Sequence, residues 1–197
     1  MIKRAFDMAA SGLALVLLAP LLLLIALLVA LDSPGGAFFR QLRVGRGGGE
    51  FRLLKFRTMR PGSEAHGQIT VGGRDARITR IGYLLRKTKL DELPQLVNIL
   101  RGDMSVVGPR PEVPRYVALY NAEQRQVLSV RPGLTSLASL AYIDENEVLG
   151  RAADPERAYI EEVMPAKLAL DLRYVRERSL GLDLRIIART ALRIIRR

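Results

Sequence analysis

The sequence predicts an α+β chain that is mostly helical, with a membrane-length helix at its N-terminus, one small β-hairpin and amphipathic helices after it. Three observations carry this. No residue from Leu13 to Leu31 is charged, and as a straight helix that stretch would run roughly 28 Å, close to the thickness of a bilayer core. Two short aromatic and branched segments flank Gly45-Arg46-Gly47-Gly48-Gly49, the pattern of two strands and a hairpin loop. From Pro155 to the end the pattern is helical. The chain divides accordingly into an apolar helix and turn (1–36), a main domain (37–180) and a basic amphipathic helix (181–197).

The N-terminal segment has two readings. A spanning helix is the simpler. A re-entrant helix, which enters the bilayer and returns, is favoured by two features. Pro20 follows Ala19 in mid-segment, where proline removes a helical hydrogen bond and bends the axis. Lys3 and Arg4 precede the apolar run, and Arg40, Arg43 and Arg46 follow it. Positive charge marks the cytoplasmic side, so both flanks favour one side. A cleavable signal fits poorly, because the apolar run is long and no small-residue cleavage site follows it.

Asp32-Ser33-Pro34-Gly35-Gly36 is a turn. Phe38–Val44 and Phe51–Met59 are the expected strands. Pro61–Gly73 is polar and glycine-rich, which predicts a mobile loop. Ile78–Lys89 reads as a basic helix and Pro94–Leu100 as an apolar one, ended by Gly102. Gly108-Pro109-Arg110-Pro111 is a rigid turn, Pro114–Val130 a helix, and Pro132-Gly133 a break. In the last helix Leu182, Ile186, Leu192 and Ile195 alternate with arginines, and Arg185, Arg189 and Arg193 form one stripe. Such a helix lies in a membrane interface or packs its apolar side on the protein core.

Composition narrows the chemistry. Of 197 residues 49% are apolar, and the formal charge is +11. That excess calls for an anionic partner: nucleic acid, anionic lipid or a phosphorylated substrate. The absence of cysteine excludes disulfides and thiolate chemistry, and the single histidine, His66, excludes a histidine-cluster metal site. A metal here would be a hard cation on oxygen ligands, with Mg²⁺ the default.

Leu90-Asp91-Glu92-Leu93-Pro94-Gln95-Leu96 is the most informative segment. Pro94 places a helix start near the two carboxylates, where unpaired amides and the helix dipole favour phosphate oxygens. Adjacent carboxylates there could supply a nucleophile and a metal ligand or base. On spacing alone ordinary caps are the stronger reading, since Thr88 and Asp91 match a capping box. Basic residues gather around this point in the sequence: Lys55, Arg57, Arg74, Arg77, Arg80, Arg86, Lys87, Lys89 and Arg110. They would neutralise a diphosphate, or form a solvated basic face. Arg110 is the strongest of them, because Pro109 and Pro111 fix its backbone for bidentate phosphate contact. The glycine-rich loop lacks the lysine and hydroxyl of a nucleotide P-loop.

These segments resemble the bacterial sugar transferase family, the monotopic phosphoglycosyl transferases. The resemblance runs in order through Lys3-Arg4-Ala5-Phe6-Asp7, Phe39-Arg40-Gln41-Leu42-Arg43-Val44-Gly45, Lys55-Phe56-Arg57-Thr58-Met59 and Arg77-Ile78-Thr79. It continues through Leu90–Leu96, Gly102–Pro111 and Arg131-Pro132-Gly133-Leu134-Thr135. It implies transfer of a sugar phosphate from a nucleotide diphosphate sugar, with UDP expected, to polyprenyl (undecaprenyl) phosphate. The nucleoside monophosphate is released, and surface glycan synthesis begins. Asp91 would be the nucleophile and carry a covalent phosphosugar. Glu92, with Asp91, would bind Mg²⁺ or assist deprotonation. Lys55, Arg57, Arg77, Arg86, Arg110 and Arg131 would bind substrate.

The same resemblance implies a re-entrant helix bent at Ala19-Pro20, and a catalytic domain on the cytoplasmic face of the bacterial inner membrane, against anionic lipid. Family members often have Ser-Pro at the bend. They often have a Gly-Trp stretch where this chain reads Ser136-Leu137-Ala138-Ser139-Leu140-Ala141-Tyr142, so no sugar identity transfers. Oligomeric state is not written in these motifs. Two rivals are direct transfer, with both carboxylates only as Mg²⁺ ligands, and a membrane-tethered basic nucleic-acid-binding protein. Against the latter, and for no nucleic acid as partner, the apolar N-terminus and the last helix direct much of the basic charge toward lipid.

Overall fold

A computed structural model describes residues 2–63, 70 and 75–196. Most of the expected loop at 61–73, together with His66 and Arg74, lies outside the described residues.

Helix α1 (Ile2–Asp32) is apolar enough to cross a membrane, and it runs without a break through Ala19-Pro20. At 1.5 Å per residue it is about 46 Å long. One stripe faces the protein: Asp7, Ser11, Ile25 and Val29 are buried, and Ala14 and Leu15 pack against Leu53, Leu96 and Ile99. The opposite face leaves Leu13, Val16, Leu17, Leu23, Leu24 and Leu27 exposed. Both ends are fastened to the main domain. At the start, Asp7 accepts from Ser105 Oγ at 2.8 Å and from Val106 N at 3.0 Å. At the end, Asp32 accepts from Ile81 N at 3.0 Å.

Strands β1 (Phe38–Val44) and β2 (Glu50–Phe56) pair antiparallel with Phe38 opposite Phe56 and Val44 opposite Glu50. The glycine-rich loop closes them with a 3₁₀ turn at Arg46–Gly48. The second strand stops three residues short of the expected Met59, which forms only an isolated bridge to Ile78. Thr79 then caps α2 (Arg80–Thr88) by accepting from Gly82 N. A 3₁₀ turn at Leu90–Glu92 leads into α3 (Gln95–Arg101).

A small parallel pair was not foreseen: β3 (Ser105–Val107) beside β4 (Gly133–Thr135). A Cβ on Gly133 would lie 2.0 Å from Gly108 N. Only glycine allows the two chains to approach so closely, and that approach fixes the Pro109-Arg110-Pro111 turn beside β4.

The expected helix over Pro114–Val130 is two short pieces, α4 (Pro114–Val117) and a 3₁₀ helix at Gln124–Ser129. Asn121 and Gln124 cap each other's amides at 2.8 and 2.9 Å, which restarts the chain and prevents one continuous helix. Short helices α5 (Leu137–Ala141), α6 (Glu145–Gly150) and α7 (Pro155–Ala158) follow. A π turn at Tyr159–Val163 joins α7 to α8 (Met164–Glu177). The helical pattern after Pro155 breaks again where Ser179 caps α9 (Leu180–Ile195).

Helix α9 packs one side on the protein core, as one of the two sequence readings expects, and leaves other apolar side chains exposed. Ile186 is buried against Tyr174 and Val107. Leu184, Leu192 and Ile195 stay exposed beside Arg185, Arg189 and Arg193.

Candidate active site

Asp91 and Glu92 lie in a cleft of about 610 Å³ between the β-hairpin, α2, α8 and the 134–149 segment. Neither is a helix cap. Thr88 Oγ1 donates back to Leu84 O at 2.8 Å and Leu85 O at 3.2 Å, so the capping box does not form. The expected free amides are also engaged: Glu92 N bonds Lys89 O, Leu93 N bonds Leu90 O, and Val97 N bonds Pro94 O. The 3₁₀ turn and the first turn of α3 consume these donors, so these amides do not supply the anion site the sequence suggested. Lys89 starts this turn at φ 59°, ψ 13°, the only non-glycine with positive φ among the described residues. A left-handed residue there ends α2 and turns the two carboxylates into the cleft.

The two neighbours are treated differently. Glu92 receives a two-pronged bond from Arg110, Nη2 to Oε1 at 2.7 Å and Nη1 to Oε2 at 3.2 Å. Burial alone would raise its pKa, yet Arg110 first and then Lys55 hold it far below the ordinary carboxylate range. Asp91 is as deeply buried, and its Oδ1 has no hydrogen-bond partner. Burial, and then the charge of Glu92, push Asp91 up to about 6, against the pull of Lys55, Lys89 and Arg86. The site thus separates a clamped carboxylate from an uncommitted one, and pushes their proton affinities apart.

Arg110 is fixed from three directions: by the flanking prolines, by Glu92, and by its own amide, which donates to Asp171 Oδ2 at 3.4 Å. Glu92 raises its pKa. Lys55 comes from β2, and burial lowers its ammonium to about 8. Arg86 also lines the cleft, donating to Thr70 Oγ1 at 2.9 Å while its Nη1 is buried without a partner.

Three expected substrate binders are elsewhere. Arg57 binds Ser33, with Nη2 at 2.5 Å from its carbonyl, and ties β2 to the turn after α1. Arg77 is committed to Asp75 at 2.6 Å. Arg131 donates to Gly102 O at 2.8 Å and lines a different cavity. Linear proximity put Arg57 and Arg77 with the others and the family resemblance added Arg131, but none of the three lines the cleft.

Other lining residues were not assigned a role from sequence. Arg43, expected as a cation flanking the membrane helix, turns inward and pairs with Glu112 at 2.9 Å. Glu112 also accepts from Tyr159. Its position directly after the Pro-Arg-Pro turn was the available signal. Asp171 on α8 is buried, its Oδ1 unpartnered, and burial pushes it up to about 7. Nothing local in sequence marks it.

The donor set fits a hard cation only in company with a substrate. Among the described residues no group of three or more His, Cys, Asp or Glu could hold an ion alone. Asp91 Oδ1 is free and both Glu92 oxygens are engaged. Mg²⁺ is commonly held in this way, by one or two carboxylates plus phosphate oxygens and water.

Comparison with known proteins shows the family. The family model for bacterial sugar transferases matches residues 1–197. A UDP-glucose:undecaprenyl-phosphate glucose-1-phosphate transferase of Caulobacter vibrioides is 43% identical over 95% of this chain and 67% of its own length. A UDP-N-acetylgalactosamine-undecaprenyl-phosphate N-acetylgalactosaminephosphotransferase of Aeromonas hydrophila is 40% identical over 96% of this chain, which spans only 42% of that protein. The exopolysaccharide production protein PSS of Rhizobium leguminosarum bv. phaseoli is 42% identical over 94% of this chain and 91% of its own length. The chain belongs to the bacterial sugar transferase family of enzymes.

Proposed function

We propose that the chain transfers a sugar phosphate from a UDP-sugar to undecaprenyl phosphate in two steps through Asp91. The observation that carries this reading is the unpartnered Oδ1 of Asp91 beside a Glu92 that Arg110 holds on both oxygens. A nucleophile needs an uncommitted oxygen, and a neighbouring carboxylate with the same freedom would compete for the same cations.

In the first step Asp91 Oδ1 attacks the sugar-bearing phosphorus. The bond from that phosphorus to the bridging oxygen breaks, and the nucleoside monophosphate leaves with the electron pair. In the second step a phosphate oxygen of undecaprenyl phosphate attacks the same phosphorus and releases the Asp91 carboxylate. Arg110, Arg86 and Lys55 face the diphosphate and offset the charge that repels an attacking carboxylate. Asp91 and Glu92 would hold Mg²⁺ together with phosphate oxygens, and the ion supplies further charge neutralisation. The relatives named above carry UDP-sugar and undecaprenyl-phosphate activities in their names, which supports this substrate pair.

The same reading places α1 and α9 in the membrane, with the catalytic domain on the cytoplasmic face. The support is geometric. Lys3 and Asp7 at one end of α1, and Asp32 at the other, fasten to the same domain. Attachment of both ends to one body is what a re-entrant element requires, and it supports that reading over a spanning one.

The test is isotope exchange. Labelled nucleoside monophosphate should enter the donor sugar nucleotide in the absence of undecaprenyl phosphate. Transfer with no such exchange would favour direct displacement, with both carboxylates acting only as ion ligands.

A further inference from the structure

A second cavity, of about 470 Å³, opens where the start of α1, the hairpin loop, the 129–131 segment and the start of α9 meet. Lys3, Arg4, Arg46, Arg131 and Arg178 line it, against two carboxylates, Asp7 and Asp183. The carboxylates are already satisfied. Asp7 accepts from Ser105 and Val106. Asp183 takes Lys3 Nζ at 2.5 Å and Tyr174 OH at 2.8 Å. Arg4 is spent on the last carbonyls of α3, Ile99 O at 2.6 Å and Leu100 O at 3.0 Å.

The remaining cations are not matched. Arg131 donates only through Nε, to Gly102 O, which leaves its terminal nitrogens open. Among the described residues Arg46 and Arg178 have no carboxylate partner. Three guanidinium groups converging on one cavity form an anion site, and their fork geometry suits phosphate oxygens. The rim identifies the source of that phosphate. Leu180 lines the cavity, and Ile2 and Met8 on α1 and Leu184 on α9 stand exposed on the two helices that frame it. A water-borne phosphate has no use for those side chains, whereas acyl chains do.

We propose that this cavity binds the phosphodiester headgroup of an anionic phospholipid, held by Arg46, Arg131 and Arg178, with its acyl chains along α1 and α9. The bound lipid would fix the height of the domain at the membrane surface. The proposal rests on the membrane placement above, and not on the transfer chemistry.

Native mass spectrometry of the full chain, released from detergent micelles containing phosphatidylglycerol and phosphatidylcholine, tests it. The protein should retain one phosphatidylglycerol in preference to phosphatidylcholine. Arg46→Glu and Arg178→Glu, each a reversal of two charge units, should weaken retention by at least about fivefold, the worth of losing one cation near a lipid surface. Arg151→Glu, an equal charge change outside the cavity, should retain the lipid as wild type does. Transfer activity in detergent should be unchanged in both cavity variants. Equal retention in all variants, or no retention by wild type, overturns the site. Displacement of the lipid by equimolar inorganic phosphate would assign the site to a soluble anion and overturn the lipid reading. Flotation of the wild type with vesicles checks membrane placement separately.

Discussion

The two cavities are built from the same residue types and differ in how their carboxylates are treated. In the second cavity both acids are satisfied: Asp7 by a hydroxyl and an amide, Asp183 by an ammonium and a phenol. In the cleft Glu92 is satisfied by Arg110, but Asp91 Oδ1 is left buried and bare. A buried polar atom without a partner costs stability. Here that atom faces Lys55 and Arg86 across the cleft, where a phosphorylated substrate would be received under the proposed function. The second cavity has acids that hold its walls together; the cleft keeps two buried carboxylate oxygens bare, on Asp91 and on Asp171, and of the two only Asp91 sits beside the clamped Glu92.

The sharpest way to break this contrast is Asp91→Asn. Transfer should fall by about 10⁴-fold or more, as for loss of a nucleophile, measured as nucleoside monophosphate release. The same variant should be more stable than wild type at neutral pH, by on the order of 1–3 kcal/mol. The sign follows from the raised pKa. Between the ordinary 3.8 and about 6 the folded state holds a proton that the unfolded state has lost. Wild-type stability therefore falls as pH rises through that window. The advantage of Asn should grow across it, and vanish below it, in denaturant melts.

Arg110→Lys keeps the charge but loses the fork, and should lower transfer by about 10²-fold. An activity like wild type would show that the two-pronged hold on Glu92 is dispensable. Below pH about 6 the rate constant kcat/KM should fall tenfold per unit as Asp91 takes up its proton. Asp7→Ala, in the second cavity, should cost about 1–3 kcal/mol of stability by stranding Ser105 and Val106 N. Turnover per folded molecule should stay the same. A change in turnover from Asp7→Ala larger than that from Arg110→Lys would reverse the roles assigned to the two cavities.

Much of this was legible in the sequence because it was local. The uncharged run marked α1, the glycines marked the hairpin loop, and the prolines around Arg110 marked a rigid turn. The ordered family segments singled out Asp91 and Glu92 when helix-start arguments alone favoured an ordinary cap. Lys55, Arg86 and Arg110 do meet at that pair. What was not legible depended on long-range packing. Arg57 and Arg77 lie close to the cleft residues in sequence and Arg131 sits in a family segment, yet the fold turns each toward a carbonyl or an acid elsewhere. Asp171 enters the cleft from α8, far along the chain, whereas Glu112 directly follows the Pro-Arg-Pro turn and was within reach of a local reading. The β3–β4 pair joins three-residue strands too short to show a period. The break at Asn121 came from a reciprocal side-chain cap that periodicity does not register.

The central claim is that Asp91 carries the phosphosugar between the two substrates. Brief exposure of the full chain to donor alone, followed by rapid quenching and mass analysis of its peptides, tests it most directly. The account predicts one phosphosugar of added mass on the peptide containing Asp91, removed on addition of undecaprenyl phosphate. An unmodified peptide in a preparation that turns over at full rate would contradict it.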